Sequence, residues 1–150
     1  MTQSSHHLWQ DTLLAGLSAA LTSGAPSTLF AWWTGGDVLE ATRAAGAMLI
    51  PIDSSTAELI AAATFVHLTI SLFWAALLTL TLPRRHTVIA ATLAAAAIAV
   101  LDLRVIGTLF PEIHALPFWP QFADHLAWGL TVGAVLERRF HGRAVGSSSS

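Results

Sequence analysis

The sequence contains no cysteine, no lysine and no tyrosine, and these absences exclude several kinds of site. Without cysteine there can be no disulfide, no thiolate-bound metal, no iron–sulfur cluster and no covalently attached c-type haem. Without lysine, a Schiff base to retinal or to pyridoxal phosphate is impossible. The chain also lacks the glycine pattern of a P-loop or of a dinucleotide-binding turn, so nucleotide-driven chemistry is not expected. Titratable chemistry must therefore rest on carboxylate, imidazole and guanidinium groups.

Charge is scarce as well: 11% of the 150 residues are charged, whereas 54% are hydrophobic. Soluble domains carry about 25% charged residues, and apolar runs of this length are typical of transmembrane helices. No basic stripe suggests a nucleic-acid partner, so the lipid bilayer is the expected one. We predict an all-α integral membrane four-helix bundle. It forms a single domain over residues 1–145, followed by a flexible tail of linker composition at residues 146–150.

Four apolar stretches predict four membrane spans, with a short interfacial helix between the first two. Residues 23–26 (Ser-Gly-Ala-Pro) predict a kink within the first span. Because no lysine or arginine precedes that span, we interpret it as a retained helix rather than a signal peptide. The interfacial helix is expected to run from Asp37 to about Leu49. Residues 111–120 hold three prolines and are expected to form an extended loop. The predicted spans are residues 9–33, 56–82, 87–110 and 121–136.

The arginines predict the orientation. Most of them lie either between spans two and three or after span four, and the outer connections carry only Arg43. The positive-inside rule then places both termini and the turn at residues 83–86 in the cytoplasm. We therefore expect a multi-pass protein of the bacterial inner membrane. The arginines on the predicted inner side are Arg84, Arg85, Arg138, Arg139 and Arg143.

Ionisable side chains interrupt three of the apolar stretches, and all of them fall in the outer half of the predicted bundle. A rise of ~1.5 Å per residue puts His67 about 15 Å below the outer face and His125 about 6 Å below it. Such groups are costly within a span and mark a functional site by default. Helical spacing places Ser71 on the face of His67. His125 shares its face with Gly129 and Gly133, a strip that should touch a neighbouring helix. The interrupting residues are His67, Asp102, Arg104, Asp124 and His125.

These residues predict a binding site whose ligand stays open. A divalent transition metal such as zinc or copper would suit imidazoles with carboxylates, and two histidines could ligate a b-type haem. The estimated depths of the two histidines differ by ~9 Å, which disfavours one haem between them. The His67–Asp102 pair could instead relay protons or hold a small polar ligand. We interpret His67, Ser71, Asp102 and His125 as cofactor-binding residues, and His67, Asp102, Asp124 and His125 as candidate metal ligands.

A structural interpretation competes with the binding site. A histidine within a span often donates a hydrogen bond to a neighbouring carbonyl or hydroxyl, and Ser71 or Thr64 could serve His67 in this way. Under this interpretation the histidines stabilise helix packing and bind nothing.

Three short motifs resemble a known group of proteins. The chain reads V-H-L-T-I-S at residues 66–71, L-F-P at 109–111 and D-H-L-A-W-G at 124–129. This order resembles small uncharacterised four-span bacterial inner-membrane proteins with a histidine in span two and an H-L-x-x-G start to span four. The resemblance covers about residues 55–136. It implies the four-span topology and the importance of His67 and His125, but no biochemical role.

Two functions follow as hypotheses. The first is an inner-membrane protein whose outward-facing polar site binds a small ligand, a metal or haem. The second is an accessory or assembly subunit of a larger membrane complex, with other membrane-protein subunits or further copies of the chain as partners. No nucleophile–base pair is visible, so an enzyme is not the expected class. A transporter is disfavoured because the inner half of every predicted span lacks polar lining.

Overall fold

A computed structural model of the chain describes the backbone of residues 3–147 and the side chains of residues 7–142. This part of the chain is helical apart from short connections and contains no strand, which confirms the all-α prediction. Residues 148–150 of the predicted tail lie outside the described part. The helices are α1 (Gln3–Ser23), α2 (Ala25–Thr34), α3 (Glu40–Gly46), α4 (Thr56–Thr81), α5 (Thr87–Arg104), α6 (Pro111–Ala115) and α7 (Phe118–Ser147), with a 3₁₀ turn at Ile106–Leu109.

Three helical stretches are long and apolar enough to cross a bilayer: His7–Thr34, Thr56–Thr81 and Thr87–Leu109. At ~1.5 Å per residue, the 26 residues of α4 extend over about 39 Å, more than the ~30 Å hydrocarbon core of a bilayer. The fourth predicted span lies within α7, which is longer still at 30 residues. α7 carries ionisable residues near both of its ends and is not among the three apolar stretches.

The first apolar stretch is divided into two helices, as residues 23–26 predict. α1 ends at Ser23 and α2 begins at Ala25, with Pro26 in its first turn. Proline has no N–H, and its ring excludes the carbonyl of the preceding turn, so the helical hydrogen-bond ladder is interrupted at this point. α2 ends at Thr34 and is capped by Gly35, whose φ of 70° is the left-handed conformation that favours glycine.

α4 begins where its sequence predicts. Ser55 is the N-cap residue and accepts from the backbone N–H of Glu58, while the Glu58 carboxylate accepts from the backbone N–H of Ser55. This reciprocal capping box satisfies donors that the first turn would otherwise leave unpaired. The helix ends at Thr81, just before Pro83, which cannot continue it.

The third apolar helix ends earlier than predicted. α5 stops at Arg104, and the chain tightens into the 3₁₀ turn. Gly107 lies so close to α5 that a Cβ there would come within 2.9 Å of the Asp102 carbonyl oxygen, so the turn needs a residue without a side chain.

The predicted extended loop at residues 111–120 also contains a helix. α6 starts at Pro111, because the first helical position tolerates a missing N–H and a fixed φ.

The predicted interfacial helix is shorter than expected, since α3 covers only Glu40–Gly46. Its last residue packs directly on α4: a Cβ on Gly46 would lie 2.2 Å from the Leu59 carbonyl oxygen. Asp37 lies before the start of α3, and its carboxylate accepts from the backbone N–H of Leu39. α3 is therefore held against the start of α4 by backbone contact.

α7 is the central helix of the bundle. It packs along α5 and α1 and also contacts α2, whereas α4 packs against α1 and α3. Most of its side chains between residues 120 and 140 are buried or half-buried, although Leu130 and Arg138 are exposed. Because neighbouring helices cover it, α7 needs no apolar surface on every side. The core between the four long helices consists of Ala15, Ala19, Ala75, Leu78, Ala95, Ile98, Trp128, Val132 and Leu136.

Two glycines set the distance between α7 and α5. A Cβ on Gly129 would lie 2.3 Å from the Cβ of Ala95, and a Cβ on Gly133 would lie 2.7 Å from the Cα of Val88. Contacts this short leave no room for even a methyl group. The prediction that this strip touches a neighbouring helix is therefore confirmed.

Gly133→Ala should destabilise the protein by about 1–3 kcal/mol, since the added methyl group forces α7 away from the backbone of α5. Gly142→Ala is the matched control in the same helix. A Cβ there meets nothing within 4 Å, and the substitution should gain up to about 1 kcal/mol of helix propensity. The free energy of unfolding, followed by circular dichroism, should thus change with opposite signs. Equal changes would show that the helices are not in close contact.

Candidate functional site

The bundle has two polar ends. We call the end that carries α2, α3, α6 and the first turns of α7 the outer end. The inner end carries the α4–α5 turn and residues 137–142 of α7. At this inner end, the guanidinium of Arg84 lies 5.8 Å from the centre of the Phe140 ring. The residues predicted to form a site are distributed over the outer half of this arrangement.

His125 and Asp102 form a hydrogen-bonded pair between α7 and α5. Nε2 of His125 lies 3.2 Å from Oδ2 of Asp102, and Nδ1 lies 2.9 Å from the carbonyl oxygen of Gln121. Both side chains are about a quarter exposed, at 24% and 22%. A neutral imidazole has only one N–H. A neutral ring can therefore donate to only one of these two acceptors, whereas a protonated ring can donate to both.

His67 and Asp124 lie on either side of the break between α1 and α2. Nε2 of His67 is 3.0 Å from the carbonyl oxygen of Ala20 and 3.1 Å from Oγ of Ser23, at the end of α1. Oδ1 of Asp124 accepts from the backbone N–H of Ser27, in the first turn of α2, at 2.9 Å. A carboxylate at a helix N-terminus and a donor at a helix C-terminus both complement the helix dipole. The two side chains thus stabilise the interrupted helix.

Ser71 joins three helices. Its Oγ donates to the carbonyl oxygen of Gly16 at 2.8 Å and accepts from Nε1 of Trp128, also at 2.8 Å. Ser71 and Trp128 are both buried, so these bonds are shielded from solvent. The predicted partnership of Ser71 with His67 does not form, because the His67 ring reaches across to α1 instead.

The four candidate metal ligands do not converge on one point. Asp102 bonds to His125, whereas Asp124 and His67 bond to the broken helix. Among the side chains of residues 7–142, no three histidines or carboxylates are grouped so as to hold a metal ion. The predicted pairing of His67 with Asp102 is absent here, because α4 and α5 are not among the helix pairs that pack closely. Arg104, which follows Asp102, places its guanidinium 4.3 Å from the centre of the Phe118 ring.

A cleft of about 160 Å³ opens at the outer end, between α2, the start of α3 and residues 116–121. Two of its lining residues bond through their backbone to the polar groups described above. Ser27 donates to Asp124, and Gln121 accepts from His125. This outer cleft is lined by Ser27, Thr28, Phe30, Ala31, Thr34, Gly36, Asp37, Val38, Glu40, Ala41, Leu116, Pro117, Pro120 and Gln121.

The rim of the outer cleft is acidic. The backbone N–H of Leu39 and the guanidinium of Arg43 both bond to the Asp37 carboxylate and lower the pKa of Asp37 below its usual value. Asp37 therefore stays ionised at neutral pH, and Glu40 adds a second carboxyl group to the lining. The cleft thus combines acidic groups with an apolar wall that includes Phe30 and Leu116.

One polar pair was missed by the sequence analysis. At the inner end, Nε of Arg139 donates to Oδ1 of Asp11 at 2.8 Å, and the Asp11 side chain is fully buried. The sequence carries one signal of this pair. Asp11 lies near the start of the first apolar stretch and Arg139 near the end of the last one, and both are on the predicted inner side. Such a carboxylate requires a partner, because an isolated buried charge is very costly.

Comparisons with known proteins give no further guidance. No protein-family model matches the chain, and neither does any curated protein or solved structure. Inferences about function therefore rest on the geometry of the two ends.

Ser71→Ala should lower the free energy of unfolding by about 1–3 kcal/mol, because it leaves the buried Trp128 N–H without its acceptor. Thr64→Ala is the matched control. That hydroxyl lies on the same helix but is exposed and bonds only within α4, so a change of less than about 0.5 kcal/mol is expected. Trp128→Phe combined with Ser71→Ala should cost less than the sum of the single changes. Additive losses would contradict the coupling.

Proposed function

We propose that this protein crosses a membrane four times and binds a small ligand at the outer end of the bundle. Three apolar helical stretches supply three of the crossings. α7 supplies the fourth: its 30 residues extend over about 45 Å. The polar residues of α7 need not contact lipid, because α1, α2 and α5 cover much of the helix.

The lateral surface of the bundle supports insertion. Large apolar side chains are exposed along α1, α4 and α5, and their exposed fractions reach 87% for Leu21, 69% for Leu80 and 67% for Leu93. Soluble monomers rarely expose extended apolar surface of this kind. In a bilayer the same side chains contact lipid, and the cost of their exposure disappears.

The arginines support the orientation. Arg84, Arg85, Arg138 and Arg139 all belong to the inner end, and the positive-inside rule assigns such an end to the cytoplasm. The outer cleft then faces the periplasm of a bacterial inner membrane. Both chain termini lie on the cytoplasmic side in this proposal.

The observation that carries the binding proposal is the continuity between the outer cleft and the polar pairs below it. Ser27 and Gln121 line the cleft and bond to Asp124 and His125. A ligand in the cleft that reaches the carboxylate must replace its bond to Ser27, and one that reaches the imidazole must replace its bond to Gln121. His67 and Ser71 take the supporting role of holding α1 and α4 in position.

The chemistry of the cleft favours a small ligand with hydrogen-bond donors. Asp37, which is paired with Arg43, and Glu40 line the cleft together with several apolar side chains, and Asp124 bonds to the lining residue Ser27. A volume of about 160 Å³ is below the ~300 Å³ of ordinary ligand pockets, so the ligand has few heavy atoms. A metal ion bound by Asp102 and His125 would need at least one further coordinating group. A haem would exceed the cleft.

An accessory or assembly subunit is the alternative, and one observation favours it. Among the described residues, no buried side-chain nitrogen or oxygen lacks a hydrogen-bond partner. The histidines and carboxylates thus already complete one another, as expected of groups that stabilise a bundle. The exposed apolar surface would then contact other membrane-protein subunits as well as lipid.

The topology can be tested with single cysteines, because the chain has none of its own. A membrane-impermeant maleimide should label His114→Cys in intact cells, since residue 114 belongs to the outer end. His7→Cys and Gly142→Cys should be labelled only after permeabilisation. Labelling of residues 7 and 142 from opposite sides would indicate an odd number of crossings. Labelling of all three in intact cells would contradict the orientation.

Ligand binding is tested on protein purified from its native membrane in mild detergent. Native mass spectrometry, an absorption spectrum and elemental analysis should detect a bound species in stoichiometric amount. His125→Gln should reduce its occupancy about tenfold or more, as expected for the loss of a charge-assisted hydrogen bond. His114→Gln, in the exposed segment of the outer end, is the control and should leave occupancy unchanged. Wild-type protein without any bound species would favour the accessory subunit.

A further inference from the structure

The inner end of the bundle carries a second cleft that is separate from the outer site. It is open, with a volume of about 290 Å³, and lies between the start of α1 and the last described turns of α7. Its described lining contains three basic side chains and no carboxylate. The lining residues are His7, Gln10, Arg138, Arg139 and Gly142.

One of these arginines is held in place from inside the bundle. Nε of Arg139 donates to the fully buried carboxylate of Asp11. A guanidinium has five N–H donors in a planar fork, and one carboxylate accepts at most two of them in a bidentate pair. The remaining donors of Arg139 are therefore oriented before any ligand arrives. This anchoring reduces the entropy that ligand binding would otherwise cost.

The other lining residues suit the same kind of ligand. Arg138 provides a second guanidinium beside the first, and Gln10 of α1 provides amide donors across the cleft. Gly142 has no side chain to obstruct the opening, and a Cβ there would meet nothing within 4 Å. Two guanidinium groups with additional donors are better suited to bind the oxygens of a phosphate group than to bind a neutral ligand.

We propose that this inner cleft binds the phosphate group of an anionic ligand, which is either a lipid headgroup or a soluble phosphate. If the chain crosses the membrane as proposed above, the cleft lies at the cytoplasmic headgroup level, where basic pockets between helices bind anionic lipids. The recognition itself requires only the folded inner end, so the site does not depend on the identity of any ligand in the outer cleft.

Simple surface charge is the effect from which this site must be distinguished. Arg85 is exposed at the same end of the bundle but does not line the cleft. Arg138→Gln and Arg85→Gln therefore remove the same charge from the same end, and only the first removes a guanidinium from the cleft. Arg139 is unsuitable as the main variant, because its loss would also leave Asp11 without this partner.

The experiment measures binding of two probes to the full chain in a neutral detergent. The probes are inorganic phosphate, by calorimetry, and dihexanoyl phosphatidylglycerol, by native mass spectrometry. Wild-type protein should bind at least one of them saturably. Arg138→Gln should weaken that binding about tenfold more than Arg85→Gln does, the loss expected for a charged hydrogen bond. Circular dichroism of each variant confirms that the fold is retained.

Each result has one meaning. Phosphatidylglycerol binding that inorganic phosphate does not displace identifies a lipid headgroup site. Binding of inorganic phosphate alone identifies a soluble ligand, and both results support the cleft. Equal losses in Arg138→Gln and Arg85→Gln, or no saturable binding of either probe, would overturn the proposal. Failure of the membrane topology is detected separately by the cysteine labelling.

Discussion

The close approach of α7 to its neighbours is the constraint on which the rest of the structure depends. Gly129 and Gly133 allow α7 to contact α5 at distances that any Cβ would prevent. On another side, the Trp128 indole bonds to Ser71 and thereby connects α7 with α4 and α1. Polar groups that face other helices are tolerated in places where lipid-facing ones are not. Because other helices cover it, α7 can carry ionisable groups near both ends. Both clefts are consequently built on the two ends of one helix.

The break between α1 and α2 gives two of the predicted ligands a structural contact. His67 bonds to the end of α1 and Asp124 to the start of α2, so each complements the dipole of a helix terminus. Interactions of this kind contribute about 0.3–2 kcal/mol, depending on burial. A ligand that recruits Asp124 must therefore compete with the backbone N–H of Ser27. In the proposed function, this one carboxylate would couple ligand binding at the outer end to the geometry of the broken helix.

Local features of the fold were predictable, whereas neighbour relations were not. Ser55, Glu58 and Pro83 delimit α4 through capping and proline chemistry, and Pro26 marks the break, because these effects act within a few residues. Helical periodicity gives the face on which a residue lies but not the helix that this face meets. The sequence therefore predicts that His125 lies on a packed face, but it does not identify Asp102 as the partner of His125. The Asp11–Arg139 contact joins positions 128 residues apart, and no local pattern encodes it.

The middle of the bundle argues for binding at the ends rather than passage through it. Between the two polar ends, the interior is filled by alanines and by larger side chains of α7, and Val132 and Leu136 are fully buried. The buried hydroxyls in this region already have partners: Ser71 bonds to the carbonyl of Gly16 and to the indole of Trp128, and Thr79 bonds to the carbonyl of Ala75. A path for an ion or a solute requires polar groups or a water-filled lumen through the apolar layer. The described side chains of the packed middle offer neither, so the two clefts for which we propose binding open separately, one at each end of the bundle.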